Sequence, residues 1–172
     1  YGFVAEETDI QTLTSLQQFS RDTFGRVDIL VNNAGTNLRK ATTAYTTQEL
    51  DVLLSVNLKA PFLVSQFFYS LLQQSAAAAI INIGSVAGQF DVRTGSPYGM
   101  AKGGLLQLSR NLAVEWASAG IRVNSVSPWF TETPLTAGLL ADSEKSKAVL
   151  ARTPLRRVAQ PAEIAAAVAF FA

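Results

Sequence analysis

Residues 80–112 read IINIGSVAGQFDVRTGSPYGMAKGGLLQLSRNL, and the meaning of this stretch decides how the rest of the chain is read. Ile80 to Ile83 is a short β-branched run closed by Gly84-Ser85, which predicts a buried strand with a hydroxyl at its C-terminal edge. Thirteen residues after Ser85 comes Tyr98-Gly-Met-Ala-Lys102. In a helix, Tyr98 and Lys102 share a face one turn apart, so an ammonium can sit close to a phenol. A free phenol has a pKa of about 10, and lowering it by ~3 units takes roughly 4 kcal/mol of preferential stabilisation of the phenolate. A close cation supplies part of that. Taken alone, the pair reads far more readily as an exposed helix couple, because the pattern is short, and other positions must decide.

Composition narrows the chemistry. The 172 residues are 48% hydrophobic and 16% charged, enough for one domain with one core, residues 1–172. A net charge of +1 without a basic cluster argues against a nucleic-acid partner. There is no cysteine and no histidine, so no thiolate or imidazole metal site is expected, and acid–base work falls to Tyr, Lys, Asp or Glu. The longest apolar stretch, Pro61 to Leu72, is interrupted by Ser65, Gln66 and Ser70 and is too short for a membrane span. With no secretory signal in the first residues, a cytoplasmic location is the default expectation. The chain starts without methionine and stops at Phe170-Phe171-Ala172 in mid-helix pattern, which reads as a piece of something longer.

In chain order, Tyr1 to Ala5 reads as the end of a strand, and Thr8 or Asp9 as the cap of a helix carrying Ile10, Leu13, Leu16 and Phe19 up to Phe24-Gly25. Val27 to Val31 is the next strand, closed by Asn32-Asn33-Ala34-Gly35. Strand, helix and strand in this order suggest a parallel sheet with crossover helices, whose ligands lie beyond the carboxyl ends of the strands. Asn32 to Gly35 falls there, either letting a flat ligand approach the backbone or forming an ordinary turn. A long helix is expected from Thr46 or Thr47 to about Gln74. Within it Pro61 opposes the carbonyl of Asn57, so a kink falls beside the asparagine; that break could hold a water, or Asn57 could lie on the surface. The helix from about Pro97 to Gly120 carries Gly99, Ala101, Gly103 and Gly104, which permit close approach of another helix or of a cofactor. Ile121 to Val126 is a further strand, with Ser127 to Pro134 at its ligand edge. Leu135 to Arg152 is weakly helical, a lid or a plain surface helix, and Pro161 opens a last helix.

Laid out together, these positions resemble the short-chain dehydrogenase/reductase family over essentially the whole chain. The resemblance is carried by Val27-Asp28 before Asn32-Asn33-Ala34-Gly35, Asn57 in the long helix, Ser85 after Ile-Ile-Asn-Ile-Gly, Tyr98 with Lys102, and Pro128 followed by Thr133. It implies an α/β, Rossmann-like doubly wound parallel sheet with helices on both faces, incomplete at its N- and C-termini. Tyr98 would protonate the carbonyl oxygen in reduction, or act as base in reverse, while Ser85 hydrogen-bonds the same oxygen. Lys102 would lower the tyrosine pKa and bind the nicotinamide ribose, and Asn57 would hold a water of a proton relay. Asn32, Ala34 and Gly35 would line the adenosine-ribose side, with Pro128 and Thr133 near the nicotinamide end. No metal is implied. The resemblance also implies a small-molecule carbonyl substrate and a homo-oligomer, tetramer or dimer, with no membrane partner.

Three departures qualify the resemblance. The glycine-rich turn that receives the pyrophosphate, the first two strands and the final strand are not in these residues, so the stretch by itself is expected to be inactive. Glu6 stands where many members place an adenine-contacting aspartate. The common Pro-Gly after the last strand is Pro128-Trp129, as in the tropinone-reductase-like branch; Trp129, with Phe90, Leu135 and Leu139 if they face the site, favours a hydrophobic or cyclic ketone. By branch, NADP(H) is expected over NAD(H). A 3-oxoacyl-carrier-protein reductase or a sugar dehydrogenase would share the same catalytic residues. The reading from another class is a non-catalytic dinucleotide-binding module.

Overall fold

The computed structural model describes residues 1–3 and 6–172. Helix α1, Ile10–Phe24, begins where the Asp9 carboxylate accepts the Thr12 N–H at 3.1 Å and ends at Gly25, whose φ of +73° puts it in the left-handed region. Before it, Tyr1 and Phe3 lie in coil with their rings against Phe19 and Phe24 of α1. The expected strand at Tyr1 to Ala5 is therefore absent at Tyr1–Phe3, while Val4 and Ala5 lie outside the described residues.

The described residues form a three-stranded parallel sheet in the order β1 (Ile29–Asn32), β2 (Ala79–Ile83), β3 (Arg122–Val126). Strand β1 starts two residues later than its apolar pattern, because Val27 donates to the Leu71 carbonyl at the end of α3 (Ala60–Leu72) and the Asp28 carboxylate accepts from Ser75. Register is set by pairs such as Asn32 with Asn82 and Asn82 with Ser125. Alternation sends Ile80 into a core with Leu13 of α1, Val64, Phe68, Leu71 and Leu72 of α3, and Leu112 of α4 (Ser96–Glu115). Each fully buried side chain of this kind contributes about 1.5–3 kcal/mol. The opposite face meets α7 (Pro161–Phe171), whose Ile164 and Val168 stand over Val31 and Ile83. Helices thus cover both faces, but Ile29 and Val31 stay 48% and 41% exposed.

On the α3–α4 face the core holds a polar chain. Asn32 Nδ2 donates to Asn82 Oδ1 at 2.7 Å and to Ser65 Oγ at 3.2 Å; Asn82 Nδ2 donates to Ser109 Oγ at 2.8 Å, which also receives Ser125 Oγ at 2.7 Å. All three strands and helices α3 and α4 are tied through these side chains. Satisfied in this way, the buried amides cost little; left single, each would cost about 1–3 kcal/mol.

The long helix is three pieces. Helix α2, Thr47–Leu54, runs into a wide π turn, Ser55–Lys59, and then into α3, with the Ala60 N–H reaching back to the Ser55 carbonyl. Pro61 has no N–H to offer Asn57, and the wider turn carries Asn57 inward, where it is fully buried. The continuous run Thr47–Leu72 is long and apolar enough to cross a bilayer by length and composition, unlike the shorter stretch considered above. Here it is a helix of the core, burying Leu53, Val64, Phe68 and Leu71. Beyond β3, the segment 135–152 resolves into α5, Pro134–Ala141, and α6, Ser143–Ala151.

Candidate active site

Strand β2 delivers Ser85 at its C-terminal edge, where the hydroxyl accepts the Ala87 N–H at 3.1 Å and opens a single turn, Val86–Gly88. This turn packs directly on α4. A Cβ on Gly88 would stand 2.6 Å from the Lys102 carbonyl carbon, so only glycine permits the approach that brings the helix face over Ser85. The small residues of α4 serve protein contact: Gly103 meets the Gly88 carbonyl, and Gly104 meets Leu58 of the π turn.

That approach aligns Tyr98 and Lys102 as the spacing predicts. Lys102 is 4% exposed, its Nζ lies 5.8 Å from the centre of the Tyr98 ring, and it donates to the Ile83 carbonyl at 2.8 Å. Burial depresses its pKa to about 8. The Tyr98 phenol departs from expectation. Burial pushes its pKa above the usual phenol value, against the Ser85 hydroxyl and the Arg39 guanidinium, which pull it down; Lys102 is not among the groups that set it.

Asn57 joins the strand-end loop to this group. Its Nδ2 donates to the Thr36 and Leu53 carbonyls, both at 2.9 Å, and its Oδ1 accepts the Thr36 N–H at 3.3 Å. A Cβ on Gly35 would lie 3.2 Å from Asn57 Oδ1 and 3.6 Å from Lys102 Nζ, so Gly35 brings the loop backbone against both. Asn57 is neither on the surface nor idle: it fastens Thr36, next to Gly35.

A cleft of about 570 Å³ opens beside these groups, lined by Asn33, Gly35, Ser85, Tyr98, Lys102, Pro128 and Thr133 and closed on the far side by α7. Asn32 and Ala34 are not in its wall. Asn32 is turned into the buried polar chain, and its neighbour Asn33 lines the cleft. The cleft suits the nicotinamide half of a dinucleotide: apolar at Val31, Ile83 and Ile164, polar at Lys102 and Thr133, and of ordinary ligand size. Glu6 is not in its wall; its side chain accepts from Thr8 and its carbonyl from Asp9.

The sequence reading missed several residues around Tyr98. A niche of about 70 Å³ beside it is walled by Asn37, Arg39, Thr94, Trp129, Phe130 and Thr136, among others. Asn37 Nδ2 donates to Thr94, leaving its Oδ1 buried without a partner among the described residues. Trp129 and Phe130 were signalled by the ligand edge after Pro128, and Arg39, three residues past the Asn32–Thr36 run, by a charge beside a ligand-edge loop, whereas Asn37, Thr94 and Thr136 carried no signal. Leu135 borders the niche and Leu139 the cavity next to it, whereas Phe90 is 67% exposed and lines neither.

Trp129 fixes the lid candidate. Its indole N–H donates to Thr153 Oγ1 at 2.9 Å, just past the end of α6, and its ring lies edge-on to Phe130.

Comparison with known proteins gives a consistent set. Residues 4–172 match a family profile described as enoyl-(acyl carrier protein) reductase. A tropinone reductase homolog of Arabidopsis thaliana is 46% identical over 155 residues, 90% of this chain and 59% of that protein. The senescence-associated protein 13 of the same plant is 42% identical over 161 residues, 94% of this chain and 57% of its own. The chain thus spans less than two thirds of the curated relatives it matches. Among solved structures, a gluconate 5-dehydrogenase from Burkholderia cenocepacia in complex with NADP and tartrate superposes with a TM-score of 0.92 at 31% identity, covering 96% of this chain and 65% of that one.

Proposed function

The chain belongs to the short-chain dehydrogenase/reductase family, and on that premise we propose that it carries the acid and positioning machinery of an NADP(H)-dependent reductase acting on a hydrophobic or cyclic ketone. The observation that carries this reading is the convergence of Ser85, Tyr98 and Lys102 on one cleft at the strand ends, with Gly35 and Asn57 behind them. A non-catalytic binding module would have no need of Asn57, Ser85, Tyr98 and Lys102 together, with the half-buried phenol and the ammonium on one helix face.

When bound, the dinucleotide supplies the hydride. Gly35, Asn33, Lys102 and Thr133 would hold its nicotinamide end, and Pro128 would limit its position in the cleft. The Ser85 hydroxyl donates a hydrogen bond to the carbonyl oxygen of the substrate and orients it toward Tyr98. The phenol then gives its proton to that oxygen as negative charge develops there. A phenol whose pKa is held above its usual value is protonated at neutral pH, which suits the reducing direction. Lys102 keeps a positive charge near the phenolate that remains. A nicotinamide dinucleotide is supported by bound NADP in solved relatives, including one from Beutenbergia cavernae described as an NAD(P) dependent gluconate 5-dehydrogenase, with a TM-score of 0.91 at 32% identity; the choice of NADP(H) over NAD(H) follows the tropinone-reductase-like branch.

A second reading, a sugar-acid dehydrogenase, draws on the same gluconate 5-dehydrogenase relatives. Self-association is also proposed, through the α3–α4 groove lined by Phe62, Tyr69 and Trp116, and sedimentation of the full-length protein reads it. The decisive experiment measures NADPH- and NADH-dependent reduction of cyclic ketones, oxo-sugar acids and oxoacyl thioesters by the full-length protein. Tyr98→Phe is expected to lower turnover roughly 10²–10⁴-fold without changing thermal stability. Unaltered turnover in that variant would remove Tyr98 as the acid, and thioester preference would displace the ketone reading.

A further inference from the structure

Next to the niche at Tyr98 lies a larger cavity of about 810 Å³ whose charge is lopsided. Arg39, Arg93, Lys145 and Arg152 line it against a single carboxylate, Asp91, with Trp129, Phe130, Leu139 and Val149 as apolar wall. Lys145 is paired with Asp142 at 2.9 Å. Among the described residues Arg39, Arg93 and Arg152 have no carboxylate in ion-pair contact. Arg152 stands 5.6 Å from the centre of the Trp129 ring. Arg93 is held at φ +58°, a conformation that residues with side chains seldom adopt, while its N–H is held by Asp91 at 2.9 Å.

The cavity and the niche are neighbours through shared walls: Arg39, Val92, Trp129 and Phe130 belong to both. A molecule whose oxo group lies against Tyr98 and Ser85, if long enough, has the charged chamber as its next neighbour beyond Trp129. The four cations are exposed side chains at the rim of an open, partly apolar depression, so together they draw an anion by a field that salt screens. Guanidinium forks match a carboxylate in two-point contact. The phosphates of the dinucleotide are a poorer match for this charge, because none of the four cations lines the cleft that holds Gly35, Lys102 and Thr133.

We propose that the substrate is an oxo acid, a ketone whose carboxylate lies among Arg39, Arg93 and Arg152 while its carbonyl faces Tyr98 and Ser85. The inference rests on the carbonyl-reductase reading above and adds the class of molecule. The ring or chain between the two groups packs on Trp129, Phe130 and Leu139. The product is the matching hydroxy acid, bound by the same charges.

The test uses the full-length protein saturated with NADPH or NADP and compares 4-oxocyclohexanecarboxylate with its methyl ester by calorimetry. The acid is expected to bind about tenfold tighter than the ester at low ionic strength, with the ratio falling toward one as salt screens the arginines. The double substitution Arg39→Gln with Arg152→Gln is expected to abolish the preference and leave NADPH affinity unchanged. Equal binding of acid and ester, binding of neither, or a preference that survives both salt and the double substitution would overturn the proposal. So would a parallel loss of NADPH affinity, which would assign the charges to the cofactor. Turnover of the same two compounds is read separately: selective binding of the acid without its reduction would leave this inference standing and sink the reductase reading.

Discussion

Lys102 carries an ammonium into a place where, among the described residues, only the Ile83 carbonyl receives it, and burial depresses its pKa to about 8. Unfolded, a lysine titrates near 10.5. Below pH 8 both states are protonated, so the folded state bears the full penalty of the buried charge. Between about 8 and 10.5 the unfolded chain binds the extra proton, and stability therefore rises with pH. The expected outcome is a Lys102→Met variant more stable than wild type at pH 7, by on the order of 1–3 kcal/mol, the gap closing as pH rises through that window. Urea denaturation across pH measures it, and a gap that widened with pH would contradict the assignment. Turnover should fall in the same variant. The reducing activity of wild type is expected to show an alkaline limb near 8, from Lys102, before Tyr98 begins to lose its proton. The spacing of Tyr98 and Lys102 was legible because four residues make one helical turn. The balance on the phenol was not, since burial and the Arg39 charge depend on segments far apart in the chain.

The π turn at Ser55–Lys59 is where helix and site meet. One extra residue in the turn rotates Asn57 inward, and two of its three hydrogen bonds hold the Thr36 backbone beside Gly35 while the third returns to the Leu53 carbonyl. Asn57→Ala is expected to destabilise the fold by about 2 kcal/mol, since the Thr36 N–H and carbonyl lose their partner. It is also expected to speed amide exchange at Thr36 ahead of global unfolding; unchanged exchange there would show that the loop holds itself. Trp129 plays a similar part for α5 and α6. Trp129→Phe keeps the aromatic ring but removes the bond to Thr153, so exchange in Ser143–Ala151 should rise and KM should shift more than kcat. Helices α1, α4 and α7 and strands β2 and β3 were legible from periodicity, caps and prolines. Strand β1 was read too early because Val27 and Asp28 are claimed by α3 and Ser75, contacts that no local pattern carries.

At the scale of the molecule, the sheet is covered well on the α3–α4 side and partly on the α7 side. Ile29 and Val31 remain half-exposed, and β1 and β3 are both edges among the described residues. Produced alone, these 172 residues are expected to bind a hydrophobic dye and to aggregate without a defined size, as exposed strand edges and apolar faces do, whereas the full-length protein should bind no dye and associate only into an oligomer of defined size. A monomeric, dye-free polypeptide would refute this. The architecture and the place of the site at the strand ends were legible because parallel strands put their ligands there. The charged chamber was not, because Arg39, Arg93, Lys145 and Arg152 converge only through the fold. The buried chain of Asn32, Asn82, Ser109 and Ser125 also has a consequence in time. A ribosome makes Asn32 first and Ser125 several seconds later, at roughly 5–20 residues per second. Until then β2 lacks one of its two strand neighbours and Ser109 lacks the Ser125 donor, so the nascent chain cannot close its core piecemeal. A polypeptide stalled before Ser125 should stay protease-sensitive, and release of the β3 segment should be the moment at which protection appears.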